Sequence, residues 1–124
     1  MWTVSDLAAS PTPARGLPLR LLADERLARL AAAGSDRAFA VLYERHHQAL
    51  YRYCRAIVRH EDDARDVLQT TMARALAALA RGVPDAPMRP WLFRIAHNEA
   101  ISVLRRRRPA VELEQAPDLA APSL

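Results

Sequence analysis

The sequence predicts an all-α fold: a compact bundle of about three main helices, preceded by a short N-terminal helix and flanked by flexible termini. Apolar residues recur three, four and seven positions apart through most of the chain, which is the spacing of helices that bury one face. No segment alternates apolar and polar residues, so strands are not expected. At 124 residues the chain can build one hydrophobic core but not two.

The first predicted helix runs from about Pro18 to Ala33 and stops at Gly34. Its apolar stripe consists of Leu21, Leu22, Leu27 and Leu30. The preceding residues, 1–16, contain two prolines and a glycine and are predicted to be a flexible leader.

A long second helix is expected to begin at Ser35 or Asp36, either of which can cap it. Its apolar positions are Phe39, Leu42, Tyr43, Leu50, Cys54, Ile57 and Val58. Its polar face carries Glu44, Arg45, Gln48, Arg52, Arg55 and Arg59. A break is predicted near His60, because the acids that follow favour a new helix N-terminus.

Two further helices complete the predicted bundle. The buried stripe of the third consists of Ala64, Val67, Leu68, Thr71, Ala75, Leu76 and Leu79. Gly82, Pro84 and Pro87 forbid helix between about 82 and 89. A fourth helix, with Pro90 in its first turn, is expected to continue to Arg108.

The composition excludes several classes of protein. Cys54 is the single cysteine, so the chain holds no internal disulfide framework and suits a reducing cytoplasm. No stretch approaches the roughly 18 consecutive apolar residues of a membrane span. The N-terminus lacks the pattern of a secretory signal. A cytoplasmic protein without membrane contact is predicted.

Positive charge is concentrated in one short segment. Residues 89–108 hold six arginines and one glutamate, net +5, whereas residues 109–124 hold three acids and no base. A local excess of this size points to a polyanionic partner. A run of arginines at a helix end can equally be a solvated surface that complements the helix dipole.

Aromatic and hydrogen-bonding side chains are interleaved with these arginines. The run Arg105–Arg108 is preceded by four such residues: Trp91, Phe93, His97 and Asn98. Guanidinium groups bind phosphates, aromatic rings stack on unpaired bases, and asparagine can hydrogen-bond a base edge. The combination favours single-stranded nucleic acid, although Trp91 and Phe93 taken alone are more typical of a core.

The sequence offers no metal, cofactor or catalytic site. His46 and His47 are adjacent, so on a helix they point about 100° apart, and neither forms a short ligand motif with Cys54. Cys54 is expected to be a small buried side chain. The acids at 61–63 are explained by helix capping, and no nucleophile motif or glycine-rich phosphate loop is present. A non-enzymatic protein is expected.

Three segments resemble motifs of a known family. Residues 35–46 (SDRAFAVLYERH) look like the opening of region two in extracytoplasmic-function sigma factors. Residues 66–69 (DVLQ) resemble that family's Asp-x-x-Gln motif, and residues 91–98 (WLFRIAHN) resemble its Trp-Leu-x-x-Ile-Ala-x-Asn segment. The similarity spans about residues 22–109, with the motifs in the family's order and separation. It implies a sigma region 2 domain at 17–108, followed by an acidic flexible tail at 109–124.

The resemblance implies two binding surfaces. The third helix would bind the clamp of the largest subunit of core RNA polymerase, through Asp66, Gln69, Thr70, Ala73 and Arg74. The loop 81–89 and the fourth helix would recognise the promoter −10 element as single-stranded non-template DNA. The implied DNA-binding residues are Arg89, Trp91, Arg94, His97, Asn98, Ser102, Arg105, Arg106, Arg107 and Arg108. An anti-sigma factor covering either surface is a further partner that the resemblance allows.

The chain departs from the family pattern at three points. Arg65 stands where the family commonly has glutamate, and Glu99 stands where a neutral residue is usual. Glu99 is therefore expected to repel a nearby phosphate. The family's second domain, which reads the −35 element, is expected after a linker, and Leu124 falls inside what resembles that linker. The chain is thus expected to be either a fragment or a region 2 protein that works without −35 recognition.

Two other function classes stay open on the sequence alone. A general nucleic-acid-binding bundle would bind DNA without needing Asp66 or Gln69. A protein-interaction bundle, such as a decoy that occupies polymerase or titrates an anti-sigma factor, would bind its protein partner but not −10 oligonucleotides.

Overall fold

The computed structural model describes residues 18–107, which form a short 3-10 turn and four α-helices. The turn spans Leu19–Leu21, and the helices are α1 (Asp24–Ala32), α2 (Asp36–Val58), α3 (Glu61–Arg81) and α4 (Met88–Arg107). Helices α2, α3 and α4 pack against one another around a single core, and α1 lies against α2 and α3. No strand occurs between residues 18 and 107. The predicted all-α bundle is confirmed, while the predicted leader and tail lie outside the described residues.

The N-terminal helix is shorter than the sequence predicts. Instead of one helix from Pro18 to Ala33, the 3-10 turn is followed by two extended residues, and α1 begins only after them. With the chain extended there, Leu21 faces solvent and is 61% exposed, whereas Leu22 enters the core. The prediction that Leu21 is buried is therefore wrong, because it assumed an unbroken helix.

Asp24, the first residue of α1, ties the N-terminal segment to α2. Its Oδ1 accepts a hydrogen bond from Nη1 of Arg45 at 2.8 Å, and its Oδ2 lies 2.9 Å from Nε2 of His46. Nη2 of Arg45 also donates to the carbonyl of Arg20 at 2.7 Å. Arg45 was expected on the solvent face, and His46, whose ring is buried, was not expected in the core. His46 lies four residues after the buried Leu42, so helical spacing was the signal.

A tight junction separates α1 from α2. Gly34, with a φ of 109°, donates its amide to the carbonyl of Ala31, and the amide of Ser35 donates to the carbonyl of Leu30. This Schellman arrangement satisfies the last carbonyls of α1 and needs the positive φ that glycine adopts without strain. Oγ of Ser35 accepts from the amide of Ala38 at 3.1 Å. The predicted stop is confirmed, and Ser35 is the cap of α2.

The buried face of α3 matches the prediction except at one position. Leu76 is 38% exposed, although the sequence analysis assigns it to the buried stripe. Leu76 points about 100° away from the buried Ala75 around the helix axis, so its side chain does not face the core. Met72, which the sequence analysis does not select, is buried instead.

Helix α4 begins two residues before Pro90, at Met88, whose side chain is buried. Pro90 is still in the first turn, where its missing N–H has no intrahelical acceptor to lose. In the part of the chain that the structure describes, no helix is both long and apolar enough to span a membrane.

Cys54 lies in the centre of the core and is fully buried. Burial raises the pKa of its thiol from 9.0 to about 11. The thiolate is the reactive form, so a buried thiol with a raised pKa reacts slowly.

We expect Cys54 in the folded chain to react with a thiol reagent at pH 8 more than about tenfold slower than in the urea-unfolded chain. Because the unfolded chain releases the thiol proton first, this group's contribution to folding stability falls as pH rises from 9.0 to about 11. Denaturant titrations of the wild type and of Cys54→Ala across that window measure the difference. Equal labelling rates in the folded and unfolded chain would show that the thiol is accessible.

Candidate functional site

The residues implied to bind polymerase share one face of α3. At about 100° per residue along a helix, they fall within an arc of about 140°. Asp66, Gln69, Ala73 and Arg74 are exposed, and Thr70 is half-buried at the edge that faces α4. The carboxylate of Asp66 forms no ion pair within residues 18–107. An acid and an amide are thus presented together on an accessible helix face.

Helix α2 adds a groove beside this face. Nε2 of Gln69 donates to the hydroxyl of Tyr43 at 3.2 Å, and the Tyr43 ring stacks on His47 with centroids 4.8 Å apart. The groove has a volume of about 390 Å³ and is lined by Tyr43, His47, Gln48, Tyr51, Arg52, Arg65, Leu68 and Gln69. This contribution of α2 to the site was not predicted from the sequence. The sequence did contain a signal for this groove: three aromatic rings are spaced four residues apart and so share one face of α2, namely Tyr43, His47 and Tyr51.

Five of the residues implied to bind DNA form one stripe along α4. Helical geometry places them within an arc of about 80°. These residues are Trp91, Arg94, Asn98, Ser102 and Arg105. Arg94, Asn98 and Arg105 are exposed, whereas Trp91 is half-buried and packs against the core. The stripe therefore presents cations and hydrogen-bonding groups beside one partly accessible aromatic ring.

The structure engages two other implied DNA-binding residues in contacts within the bundle. Nδ1 of His97 lies 2.9 Å from the hydroxyl of Tyr53 on α2. The guanidinium of Arg89 lies over the ring of Phe93, 5.8 Å from its centroid. Phe93 in turn contacts Tyr53, with ring centroids 5.1 Å apart. These residues fix the N-terminal half of α4 against α2.

The arginine run at the end of α4 is not uniform. Nη1 of Arg107 lies 2.6 Å from Oδ2 of Asp63, and Nη2 donates to the carbonyl of Val58 at 3.0 Å. Arg107 therefore holds the end of α4 against the junction of α2 and α3. Arg105 and Arg106 are exposed at the surface, and Arg108 lies outside the described residues.

Glu99 faces α3. Its Oε2 lies 2.5 Å from Nε of Arg74, and its side chain is only 14% exposed. The sequence predicts that Glu99 repels a nearby phosphate. In the structure its negative charge is paired with Arg74 at the interface between α3 and α4, which offsets that repulsion. A cavity of about 280 Å³ lies between the two helices here, lined by Asp63, Asp66, Val67, Thr70, Glu99, Val103, Arg106 and Arg107.

No group of three histidine, cysteine, aspartate or glutamate side chains converges as a metal site would require, within the described range. The features of the site are therefore its two helix faces, the groove beside one of them, and the ion pairs between them.

Comparison with known proteins gives a consistent result. The sequence profile of sigma-70 region 2 matches residues 42–110. The chain is 44% identical over 86 residues to the RNA polymerase sigma factor CnrH of Cupriavidus metallidurans. It is 37% identical over 93 residues to the ECF RNA polymerase sigma factor SigM of Mycobacterium tuberculosis.

These alignments cover 69% and 73% of this chain but 45% and 47% of the two relatives. The chain thus spans about half the length of the curated relatives that it matches. A solved structure of CnrH in complex with the cytosolic domain of CnrY is also similar, with a TM-score of 0.61 and 43% sequence identity. The superposition covers 79% of this chain and 62% of that chain.

Proposed function

The chain belongs to the sigma-70 family through a region 2 domain, and on that premise we propose that it acts in transcription initiation. It binds core RNA polymerase, on the clamp of the largest subunit, and holds the melted −10 element of a promoter as single-stranded non-template DNA. The role is non-enzymatic, because neither binding step makes or breaks a covalent bond. Since both partners reside in the bacterial cytoplasm, the chain acts there.

One observation carries this proposal: two faces of different chemistry lie on adjacent, directly packed helices. The face of α3 presents Asp66 and Gln69, and the stripe of α4 presents Arg94 and Asn98. A protein partner and a nucleic-acid strand can therefore bind at the same time, on neighbouring surfaces of one rigid bundle. A general nucleic-acid-binding bundle would have no use for the first face.

The loop between α3 and α4 supports the DNA-binding part of the proposal. It runs from Gly82 to Pro87 and carries Val83, which is 38% exposed. An exposed apolar side chain in the loop that precedes the basic stripe offers a surface for a base that has left the stack. The loop and the N-terminal turn of α4 are thus proposed to hold one unstacked base, and the arginines further along α4 the phosphates that follow it.

A regulatory protein is a further proposed partner. The relative CnrH forms a complex with the cytosolic domain of CnrY. We propose that an anti-sigma factor binds this chain in a comparable way and competes with polymerase for the face of α3.

Phosphate contacts by the α4 stripe predict a salt-dependent complex. With the chain bound to core polymerase, Arg94→Ala is expected to weaken binding of a fork-junction promoter fragment and to reduce the slope of log K against log salt by about 0.7, the value for one lost single-strand phosphate contact. Fluorescence anisotropy measured from about 50 to about 300 mM salt gives both the affinity and the slope.

The matched control is Arg55→Ala, which removes an exposed arginine from the outer face of α2. It is expected to leave the slope unchanged. Equal effects of the two substitutions would show that the stripe on α4 is not the DNA-binding surface.

A further inference from the structure

Arg74 is held by one edge of its guanidinium group only. Its Nε lies 2.5 Å from Oε2 of Glu99, and its side chain is 62% exposed. No other hydrogen bond or ion pair of the Arg74 side chain occurs within residues 18–107. The two terminal nitrogens, with their four N–H donors, are therefore free to bind a partner.

Glu99 is suited to hold Arg74 in this orientation. The Glu99 side chain is only 14% exposed, and its carboxylate contacts Arg74 across the interface between α4 and α3. A flexible arginine loses rotamer entropy when it binds, and a fixed carboxylate at Nε removes part of that cost in advance. The planar fork that remains matches a carboxylate bound through two parallel hydrogen bonds.

Arg74 and Asp66 complete one charge pattern on α3. They are eight residues apart, which is about 12 Å along a helix. One is an exposed cation and the other an exposed anion on the same face. A partner that is complementary to this face carries a basic group opposite Asp66 and an acidic group opposite Arg74, at the same separation.

We infer that Glu99, a residue of the helix proposed to bind DNA, is a positioning residue for polymerase binding: it orients Arg74 to receive a carboxylate of the core enzyme. This inference rests on the proposed function and names the chemistry of the partner at that site. Glu99 itself contacts neither polymerase nor DNA.

The test measures binding of the full chain to core RNA polymerase by biolayer interferometry. Arg74→Lys keeps the charge but has no fork, and it is expected to weaken binding about tenfold. Glu99→Ala is expected to weaken binding by about fivefold to tenfold. The double variant should bind no more weakly than Arg74→Lys alone, because the two residues act as one unit. Glu99→Gln should restore part of the binding, since its amide oxygen can still accept from Nε of Arg74.

The control is Asp63→Ala, which breaks the other ion pair between α3 and α4. A purely structural role for both pairs predicts that Asp63→Ala and Glu99→Ala lower the thermal midpoint and the binding to similar extents. The inference predicts weaker core binding for Glu99→Ala alone, with its fork-junction DNA binding at saturating core unchanged.

Failure of the Glu99 inference can be distinguished from failure of the proposed function. If the wild type binds core enzyme and Glu99→Ala binds equally well, the inference is overturned and the proposed function stands. If the wild type does not bind core enzyme, both are overturned.

Discussion

Replacing Asp66 and Gln69 together by alanine is expected to weaken binding to core RNA polymerase about a hundredfold, which corresponds to about 2.7 kcal/mol. Both side chains are exposed on one face of α3, so their loss removes partner contacts without opening the core. Truncating a hot-spot residue, of the kind that clusters near the centre of an interface, costs about 2 kcal/mol or more, and the effects of neighbouring residues do not add fully. Surface plasmon resonance with immobilised core enzyme measures the change.

Circular dichroism and thermal unfolding should show that this double variant stays folded. Gln69 donates to Tyr43 at the surface, and losing one exposed hydrogen bond changes stability little. The control variant, Glu44→Ala with Arg55→Ala, removes two exposed charged groups from the outer face of α2 and should bind core enzyme normally. If the Asp66/Gln69 variant binds core enzyme with wild-type affinity, this face of α3 is not the polymerase-binding surface.

Asp24→Ala is expected to lower the free energy of unfolding by about 2 kcal/mol, a roughly thirtyfold change in the unfolding equilibrium. The carboxylate accepts from Arg45 and pairs with His46. The ring of His46 is buried, and its Nδ1 already has no hydrogen-bond partner in the described part of the chain. Removing Asp24 would leave both nitrogens of a buried imidazole unsatisfied, which is the costly case for a polar group. Urea denaturation monitored by tryptophan fluorescence measures the loss.

Glu25 provides the matched control. It is the next residue of α1, also acidic and also in the first turn, but it is exposed. Glu25→Gln should therefore change the free energy of unfolding by less than about 0.5 kcal/mol. If both substitutions have the same effect, the stability comes from the charge at the helix N-terminus and not from the contact with α2.

The three long helices could be predicted because their signals are local. Leu42, Leu50 and Cys54 recur at helical spacing, and Ser35 is a cap residue in the right place. The short N-terminal helix was predicted less well, because its break at Leu22 depends on contacts across the bundle. No local sequence pattern predicts that the side chain of Asp24 contacts α2.

The candidate site shows the same division. Helical spacing alone places Asp66 and Gln69 on one face of α3, and Arg94 with Asn98 on one stripe of α4. The roles within the arginine run could not be predicted from local sequence, because the contacts of Arg107 are with Asp63 and Val58, which are 44 and 49 residues away in sequence. The ion pair of Arg74 and Glu99 is likewise a product of helix packing.

One small bundle is proposed to bind polymerase and a melted strand at the same time. The most direct measurement immobilises core RNA polymerase, adds the full chain, and crosslinks the complex to fork-junction fragments with single-stranded −10 regions. We expect stable retention on core enzyme and crosslinks from α4 to the non-template strand. Absence of retention, or retention with crosslinks only to duplex DNA, would contradict it.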